Sequence, residues 1–280
     1  MNRPSTAGLL LSVDFEGAAS GLPIGPHSPL PRQTERLLRL FDEVQARATF
    51  FVVGEVARQF PTLIAQIASE GHEIGVHSDQ HVPLSKLTPS AFRDDTARAL
   101  EAVSQACGTA SVGYRAPFFS VTRDTTWAWE ILAELGFRYD SSVNPVHSPV
   151  FGYPEHGAAP RQHPTGIWEI PLPVCARRGF GLPVGGGTYL RLLPGPFLRW
   201  VLDRRLGQGL PFCTYVHPYD FDATTGYQPV FGRNALFNLL LLAGRRTAHK
   251  KLNRLVRDRR AYRLVDYLDT VLEPTEDEVR

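Results

Sequence analysis

The chain has 280 residues, of which 43% are hydrophobic and 21% charged, a balance typical of a globular protein with a sizeable core. A formal net charge of +2 gives no electrostatic reason to expect a nucleic-acid partner. Cys107, Cys175 and Cys213 are far apart and form no CxxC pair, so neither a disulfide framework nor a zinc knuckle is indicated. We expect three buried free thiols and a reducing compartment.

The amino-terminal apolar run, residues 7–13, is followed at once by Asp14 and Glu16. A run this short is better interpreted as a buried strand than as a signal peptide. No stretch has the length and apolar content of a membrane-spanning helix. We therefore expect a cytoplasmic protein.

The first half of the chain alternates short apolar strands with amphipathic helices, joined by short connections. The predicted strands are residues 8–13, 48–53, 73–76, 112–114 and 137–139, and the predicted helices are 33–44, 61–70, 88–106 and 125–135. This alternation predicts an α/β fold with a parallel sheet or a barrel. In such folds the active site lies at the carboxyl ends of the strands.

The second half is less regular. Residues 144–188 are rich in Pro, Gly and His and are predicted to be long loops over the site. Residues 192–208 and 234–257 are predicted to be helical, and a late strand is predicted at 211–216. Neither an internal repeat nor a linker is evident, so we expect one domain, residues 1–280, with a helical extension at about 221–280.

Two of the polar clusters that follow predicted strands contain possible metal ligands. Asp14 and Glu16 lie two residues apart and project to the same side if the strand continues; the alternative is a solvated turn. His77 and His81 have the spacing that lets two imidazoles on one helical turn reach one ion; the alternative is a polar loop with scattered histidines. Two imidazoles and one carboxylate would leave open positions for water and substrate.

Two further clusters offer an arginine and a histidine. Arg115 follows a strand and could hold a carboxylate in a bidentate contact, or could be a surface arginine before a turn. His217 stands at a strand end beside aromatic residues. It could act as a general acid, since imidazole titrates near neutral pH, or could be a core histidine with satisfied hydrogen bonds.

The order of these motifs carries more information than any one of them. The succession Asp-x-Glu at 14–16, His-Ser-x-x-His at 77–81, Arg-x-Pro-Phe at 115–118 and His-Pro at 217–218 resembles the polysaccharide deacetylase family, also called the NodB homology domain or carbohydrate esterase family 4. The framework stretches 48–54 and 71–77 are similar to that family as well. The stretches 139–142 and 185–194 resemble the branch found in exopolysaccharide gene clusters.

The resemblance implies a fold and a set of metal ligands. The family fold is a distorted (β/α) barrel, in agreement with the alternation of strands and helices. The match makes Asp14 the catalytic base and Glu16 a metal ligand, with one phenylalanine between them where the family usually has adjacent acids. His77 and His81 match the two metal-binding imidazoles, and Zn²⁺ is the expected divalent ion.

The remaining roles also follow from the resemblance. Arg115 matches the arginine that orients the catalytic Asp14, and His217 matches the general acid. Phe118 stands where the family usually has tyrosine, and its backbone N–H would help to hold the oxyanion. Asp140 aligns loosely with a supporting carboxylate at the substrate.

The implied function is metal-dependent hydrolysis of N-acetyl groups on a sugar in a polysaccharide, oligosaccharide or lipid-linked glycan. One alternative is an amidohydrolase that acts on a small non-sugar amide. Another is a non-catalytic carbohydrate-binding relative, although such a protein is expected to lack a base or a ligand. A purely structural interpretation would have to treat four ordered motifs as coincidence.

The segment 233–260 combines a leucine-rich run with eight or more basic residues. One interpretation is a packing helix with a solvated basic end. The other is a basic amphipathic helix at the inner face of a membrane, where it would reach a lipid-linked sugar. Peripheral membrane contact through this segment is therefore an expectation to be tested.

Overall fold

The computed structural model describes residues 7–17, 27–148, 151–177, 180–224 and 242–274. Its strands are β1 Leu9–Leu10, β2 Ser12–Phe15, β3 Thr49–Val52, β4 Glu73–Val76, β5 Gly113–Tyr114, β6 Tyr139–Asp140, β7 Arg161–Gln162, β8 Trp168–Glu169, β9 Val174–Arg177, β10 Phe180–Pro183, β11 Phe212–Cys213 and β12 Ala261–Tyr262. Its helices are α1 Leu30–Glu43, α2 Gly54–Gln59, α3 Pro61–Ser69, α4 Pro89–Cys107, α5 Ala128–Glu134, α6 Gly187–Leu192, α7 Gly195–Gly207, α8 Arg245–Val256 and α9 Leu264–Tyr267.

The largest sheet has the strand order β2-β3-β4-β5-β6-β8-β7. The strands from β2 to β8 pair in parallel, and only β7 is antiparallel to its neighbour. A second sheet has the order β11-β1-β12, and β9 and β10 form a hairpin. Since Leu11 alone separates β1 from β2, one extended segment belongs to both larger sheets.

Single hydrogen bonds continue the wall beyond these sheets. The Val184 amide donates to the Pro173 carbonyl at 3.1 Å, and the Tyr215 amide donates to the Gly185 carbonyl at 2.9 Å. The Asp14 amide donates to the Val216 carbonyl at 2.8 Å, which joins the region after β11 to β2. The fold is therefore the predicted α/β type, a distorted barrel whose wall is not one continuous strand ladder.

The helices form where the sequence supplies caps and an apolar face. Thr88 caps α4 by accepting from the Ala91 amide at 3.2 Å, and the helix ends at Gly108, whose φ of 75° is left-handed. Helix α1 begins with a proline in its first turn and buries Leu37, Leu38 and Phe41 in the main core.

The parallel strands bring the candidate site residues to the carboxyl-terminal end of the large sheet. Glu16, His77 and Arg115 each stand directly after a strand. Side chains two residues apart share a face of a strand, so Gly75 lies beneath His77. A Cβ at Gly75 would come within 2.7 Å of the Phe51 ring, which is why the smallest residue stands there.

The carboxyl-terminal segment is part of the fold and does more than extend it as helix. Strand β12 pairs in parallel with β1. Leu264, Tyr267 and Leu268 join a small core with Leu10, Phe51, Tyr139, Ile170 and Cys213. The segment predicted as a helical extension from about residue 221 therefore also contains a strand. Because β12, Ala261–Tyr262, has only two residues, it shows no alternation of apolar and polar residues in the sequence.

Three other features differ from expectation. The segment 144–188 contains β7 to β10, not only loops; these strands are two to four residues long and include Pro and Gly, so no period was readable. Helix α2, Gly54–Gln59, begins two residues after the end of β3 and was not among the predicted helices. Of the cysteines, only Cys213 is buried, while Cys107 and Cys175 are half-buried; all three are free.

The basic segment 233–260 is described from residue 242 onward, and residues 233–241 lie outside the described residues. Helix α8 buries Ala248, Leu252, Leu255 and Val256, while Arg246, Lys250 and Arg254 are exposed. The described part thus packs against the core and presents a basic outer face. Within the described ranges, no helix combines the length and apolarity that a bilayer crossing needs.

Candidate active site

Glu16, His77 and His81 converge at the end of the barrel wall. The Oε1 atom of Glu16 lies 3.0 Å from Nε2 of His81 and 3.4 Å from Nε2 of His77. All three residues are at least nine-tenths buried. Neither Nε2 atom has a hydrogen-bond partner within the described part of the chain, although unpaired buried nitrogens are costly. One carboxylate and two unpaired imidazole nitrogens form a donor set that suits a divalent cation such as Zn²⁺.

The orientation of His77 favours the same interpretation. Its Nδ1 lies 2.7 Å from the backbone carbonyl of Arg115, which can only accept, so Nδ1 carries the proton. The lone pair is then on Nε2, which faces Glu16. A ligating histidine held through its other nitrogen by a carbonyl is the usual outer-shell arrangement at metal sites.

His77 and His81 do not lie on one helical turn, as their spacing predicted. Residues 77–83 form a loop, not a helical turn. Ser78 and His81 have left-handed φ values of 65° and 58°. The Ser78 hydroxyl accepts from the His81 amide at 3.0 Å and fixes this turn. The backbone folds back on itself, so the two imidazole centroids lie 5.0 Å apart.

Asp14 faces a different partner. Its Oδ1 accepts from Nη1 of Arg115 at 2.7 Å, and the arginine side chain is fully buried. Arg115 also donates to the Ser12 hydroxyl at 2.6 Å and to the hydroxyl and carbonyl of Ser141 at 2.9 and 3.0 Å. Its guanidinium carbon lies 4.1 Å from the centre of the Phe51 ring. Burial lowers the pKa of Arg115, but Asp14 and Cys213 together outweigh burial and raise that pKa above its ordinary value.

His217 approaches Glu16 from the late strand region. Its Nε2 lies 3.6 Å from Oε1 of Glu16, and Asp14, Glu16 and His217 offer atoms within 4.8 Å of one another. Its Nδ1 lies 3.2 Å from Oδ2 of Asp220, which also accepts from the His217 amide at 2.8 Å. Burial lowers the pKa of His217, but the carboxylates of Glu16 and Asp220 raise it well above its ordinary value.

The charges at the centre are mutually dependent. Burial raises the pKa of Glu16, but the imidazoles of His81 and His217 lower it well below its usual range. Glu16 therefore stays a carboxylate at the point where the three imidazoles meet. Such strongly perturbed groups in one cluster are typical of a functional site.

Phe118 covers the cluster. Its φ of 58° is left-handed, and that of Phe119 is 54°. The Phe118 ring packs on the His81 ring at 4.7 Å between centroids and is 40% exposed. Two consecutive non-glycine residues in this region mark a strained turn of the kind that gathers at binding sites.

Asp140 does not join these side chains, contrary to the expectation of a carboxylate at the substrate. It is fully buried and accepts from the Trp129 indole at 2.9 Å and from the Ser142 hydroxyl. The Ser142 hydroxyl accepts from the Ala116 amide at 2.7 Å. Burial raises the pKa of Asp140. Asp140 faces the opposite side of β6 from Tyr139 and Ser141, so it supports the turn after Arg115 from outside.

Sequence reasoning missed two residues that hold His217. Asp220 follows it by three positions, and Arg191 donates to Asp220 Oδ1 from Nε at 2.7 Å with both side chains fully buried. A histidine and an acid three residues apart was the available signal for Asp220. Arg191 offered no local signal, because helix α6 brings it to Asp220 from a distant part of the sequence.

Comparison with known proteins finds two family models, and each matches less than half of the chain. Residues 24–139 match the family model described as polysaccharide deacetylase. That stretch of the chain is therefore similar to the polysaccharide deacetylase family. Residues 141–269 match a second model, described as a domain of unknown function, DUF3473.

Named deacetylases are similar over part of this chain. A peptidoglycan-N-acetylglucosamine deacetylase of Bacillus cereus is 32% identical over 98 residues, 35% of this chain and 36% of the relative. A chitooligosaccharide deacetylase of a Bradyrhizobium species is 32% identical over 112 residues, 40% of this chain and 51% of the relative. The matches thus span about a third to a half of these relatives.

One solved structure of the polysaccharide deacetylase fold covers nearly the whole chain. A Mycobacterium smegmatis protein assigned as a polysaccharide deacetylase superposes with a TM-score of 0.66 at 21% identity, over 95% of this chain and 90% of that one. The likeness supports the barrel fold across both matched regions.

Side chains from both matched regions meet at one site, together with Asp14 and Glu16, which lie outside both regions. His77, His81, Arg115 and Phe118 lie in the stretch that matches the deacetylase model. His217 lies in the stretch that matches the domain of unknown function, together with Asp220 and Arg191. The second stretch therefore completes the polar cluster.

Proposed function

We propose that this protein is a metal-dependent deacetylase that hydrolyses the N-acetyl group of a sugar residue in a glycan. The observation that carries the proposal is the approach of Glu16 Oε1 to two buried imidazole nitrogens that have no hydrogen-bond partner within the described residues. The names of the similar relatives, peptidoglycan-N-acetylglucosamine deacetylase and chitooligosaccharide deacetylase, support an acetylated amino sugar as the substrate class.

Glu16, His77 and His81 are the residues that would hold the metal. A bound divalent cation supplies a Lewis acid for the amide carbonyl and lowers the pKa of water. The buried position of the cluster excludes bulk solvent, so electrostatic effects there are stronger than in water.

The proton transfers fall to Asp14 and His217, which each offer an atom within 4.8 Å of Glu16. Asp14 accepts a proton from the attacking water, and Arg115 keeps its carboxylate oriented. His217 donates a proton to the leaving amine nitrogen, and Asp220 holds its ring. The turn at Phe118 would present a backbone N–H to the oxyanion that forms when water attacks.

Acetate release with metal control tests this function. The purified protein is assayed for bound metal and for acetate released from N-acetylglucosamine oligomers, with and without chelator. We expect about one Zn²⁺ per chain and activity that a chelator removes and Zn²⁺ restores. Bound metal without acetate release from any oligomer would favour a small non-sugar amide. A protein without metal or activity, even after addition of Zn²⁺ or Co²⁺, would favour a carbohydrate-binding relative.

We further propose a cytoplasmic location with peripheral contact to the membrane through residues 233–260. The exposed Arg246, Lys250 and Arg254 of α8 support attraction to anionic headgroups. Flotation with vesicles that contain anionic lipid measures this contact. If the protein stays at the bottom of the gradient with anionic and neutral vesicles alike, membrane contact is dismissed.

A further inference from the structure

Asp140 and Glu169 form a buried pair of carboxyl groups on the face of the large sheet opposite Ser141. The two residues are paired in register on the adjacent parallel strands β6 and β8, so their side chains point to the same side. Their exposed fractions are 0% and 1%. The carboxyl groups share a hydrogen bond, for which one of them must supply a proton. Because two like charges repel strongly at this depth, the pair holds one proton and one negative charge.

The hydrogen-bond partners assign the proton to Glu169. Both oxygens of Asp140 accept, from the Trp129 indole at 2.9 Å and from the Ser142 hydroxyl, and such donors stabilise a carboxylate. Glu169 Oε1 accepts from the Val143 amide at 2.9 Å and from the Ser142 amide at 3.2 Å, with a longer contact of 3.4 Å from the Ser142 amide to Oε2. Oε2 is thus the atom that can donate to Asp140. Burial, and after it the charge of Asp140, raises the pKa of Glu169 well above its ordinary value.

A chain of hydrogen bonds leads from Asp140 to the candidate metal site. The Ser142 hydroxyl donates to Asp140 and accepts from the Ala116 amide at 2.7 Å. That amide and the Arg115 carbonyl belong to one peptide group, and the carbonyl accepts from Nδ1 of His77 at 2.7 Å. All five residues are at most 1% exposed. Every donor in the chain points toward Asp140, so the bonds polarise one another in the same direction.

The charge of Asp140 therefore acts on the imidazole of His77. A carboxylate at the end of the chain makes each acceptor before it stronger, and the last of these acceptors is the Arg115 carbonyl. A stronger acceptor at Nδ1 makes Nε2, which faces Glu16, a better electron donor. Hydrogen-bond partners of a ligating histidine act in this way. Here a peptide group would transmit the effect from a carboxylate on the other side of the sheet.

We propose that Asp140 is a positioning residue for His77, and that Glu169 limits the buried pair to a single negative charge by holding a proton. Asp140 acts through Ser142 and through the peptide group that follows Arg115. This inference rests on the proposed metal site for the role of His77. A second charge on Glu169 would repel Asp140 and break the hydrogen bond between the two carboxyl groups.

The elements packed against the pair carry further titratable side chains. These include Tyr114 of β5, Arg161 of β7, and His156 and His163, which pack on the Trp129 ring of α5. Arg161 is opposite Glu169 in register, but its side chain is exposed. All of these groups are retained in the variants proposed below, so their titration cancels when the variants are compared with the wild type.

The first test measures Zn²⁺ affinity in the full chain. Competition with a chromophoric chelator gives the Zn²⁺ Kd of the wild type, Asp140→Asn, Ser142→Ala and Glu169→Gln. We expect Asp140→Asn and Ser142→Ala each to weaken binding about tenfold, the low end of the range for outer-shell changes. Glu169→Gln is the matched control and should leave the Kd unchanged, because its amide group accepts from the Val143 amide and donates to Asp140 as the protonated acid does.

The second test locates the proton. Denaturant unfolding of metal-free wild type and Glu169→Gln is compared across about pH 5 to 8. Glu169 keeps its proton in the folded wild type, whereas in the unfolded chain it releases the proton above its ordinary pKa of 4.5. A rise in pH should therefore destabilise the wild type relative to Glu169→Gln. The unfolding constants should diverge by about tenfold per pH unit until Glu169 ionises in the folded protein as well.

The outcomes separate this proposal from the proposed reaction. If the wild type binds Zn²⁺ and the Kd values of Asp140→Asn and Ser142→Ala equal its own, the role of Asp140 is refuted even when acetate is released. These variants break the chain at different bonds, so either one that folds, as checked by circular dichroism, is sufficient. Unfolding constants of the wild type and Glu169→Gln that change in parallel with pH would overturn the assignment of the proton to Glu169. Weakened Zn²⁺ binding in the variants, without acetate release by the wild type, would support the role of Asp140 and refute the reaction. A wild type that binds no Zn²⁺ would refute both.

Discussion

Neutralising Asp14 and neutralising Glu16 should have different effects on metal binding. The two carboxylates are separated by a single residue, but Asp14 Oδ1 contacts Arg115 at 2.7 Å, whereas Glu16 Oε1 lies 3.0 Å from the His81 imidazole. Asp14→Asn should therefore retain the metal and lose activity. Glu16→Gln should lose the metal, and activity with it.

The structure sets the size of each effect. Glu16→Gln removes the only carboxylate of the candidate ligand set. Since loss of an outer-shell partner alone weakens metal binding by about 10- to 100-fold, we expect loss of this ligand to cost at least about 100-fold. Asp14→Asn removes the counter-charge of the buried Arg115. Breaking such a pair typically costs about 3–5 kcal/mol, and because Ser12 and Ser141 still accept from the guanidinium we expect about 3 kcal/mol. Loss of a general base should lower kcat by about 10²- to 10⁴-fold.

Three measurements on the same preparations separate these effects. Metal content after dialysis, acetate release at saturating Zn²⁺ and denaturant unfolding of the metal-free protein are compared with the wild type. Asp42→Asn, on the exposed side of α1 with only a 3.8 Å contact to Arg47, is the control for loss of an aspartate charge. A metal-free Asp14→Asn beside a metal-bound Glu16→Gln would refute the assignment and exchange the two roles.

The remaining predictions concern the proposed general acid His217, the Asp220 carboxylate that holds it, and the stability of the fold at low pH. His217→Ala should retain metal and lower kcat by about 10²- to 10⁴-fold in the acetate assay; near-normal turnover would exclude His217 as the general acid. Gly187→Ala places a Cβ against the buried Asp220 carboxylate, so it should cost about 1–3 kcal/mol in denaturant unfolding and also lower kcat. Gly195→Ala, which meets nothing within 4 Å, should do neither. Burial lowers the pKa of His72 from 6.5 to about 4, so between these pH values the unfolded state binds more protons and stability falls as the pH is lowered. From pH 6.5 down to about 4, the unfolding free energy of the wild type should fall by on the order of 2–3 kcal/mol more than that of His72→Gln. Unfolding free energies of the two proteins that change in parallel with pH would contradict this prediction.

The parallel core could be predicted because its strands are short, buried and apolar. The run Ala-Thr-Phe-Phe-Val-Val at 48–53 contains the observed β3, Thr49–Val52. The predicted strand 73–76 coincides with β4. Burial on both faces leaves mostly apolar residues in such runs, with Thr49 and Glu73 as buried exceptions, and the loop residues at each end mark the boundaries. The first half of the fold is therefore visible in local sequence.

The later strands could not be predicted because their neighbours determine them. Strand β8 is two residues long and is defined by its pairing with β6. The Trp168 amide, for example, donates to the Arg138 carbonyl at 3.1 Å. Strand β12 likewise pairs with β1 from more than 200 residues away. No local period can encode a two-residue strand, because one alternation is the whole element.

The sequence predicted which residues form the candidate site better than it predicted which contacts those residues make. Glu16, His77 and His81 were expected together and do lie together. For Asp140 the strand position was right, but its side chain faces the opposite side of the sheet, a difference of one residue in register. His217 was found without the Arg191 and Asp220 that hold it, since that contact depends on where α6 packs.

Asp14 and Glu16 contact different partners because they lie at different positions along one extended segment. Ser12, Asp14 and Glu16 are successive side chains on the same face, about 6.6 Å apart per pair of residues in an extended chain. Ser12 and Asp14 lie at the level where β5 delivers Arg115, and both accept from its Nη1. Glu16 lies one step higher, where the turn after β4 delivers the two imidazoles. Phe15, between the acids, points into the main core, so a single spacer keeps both acids inside while it separates the proposed base from the proposed metal ligand. Moving either acid by one residue would turn its side chain toward the core, which is why the spacing matters as much as the residue types.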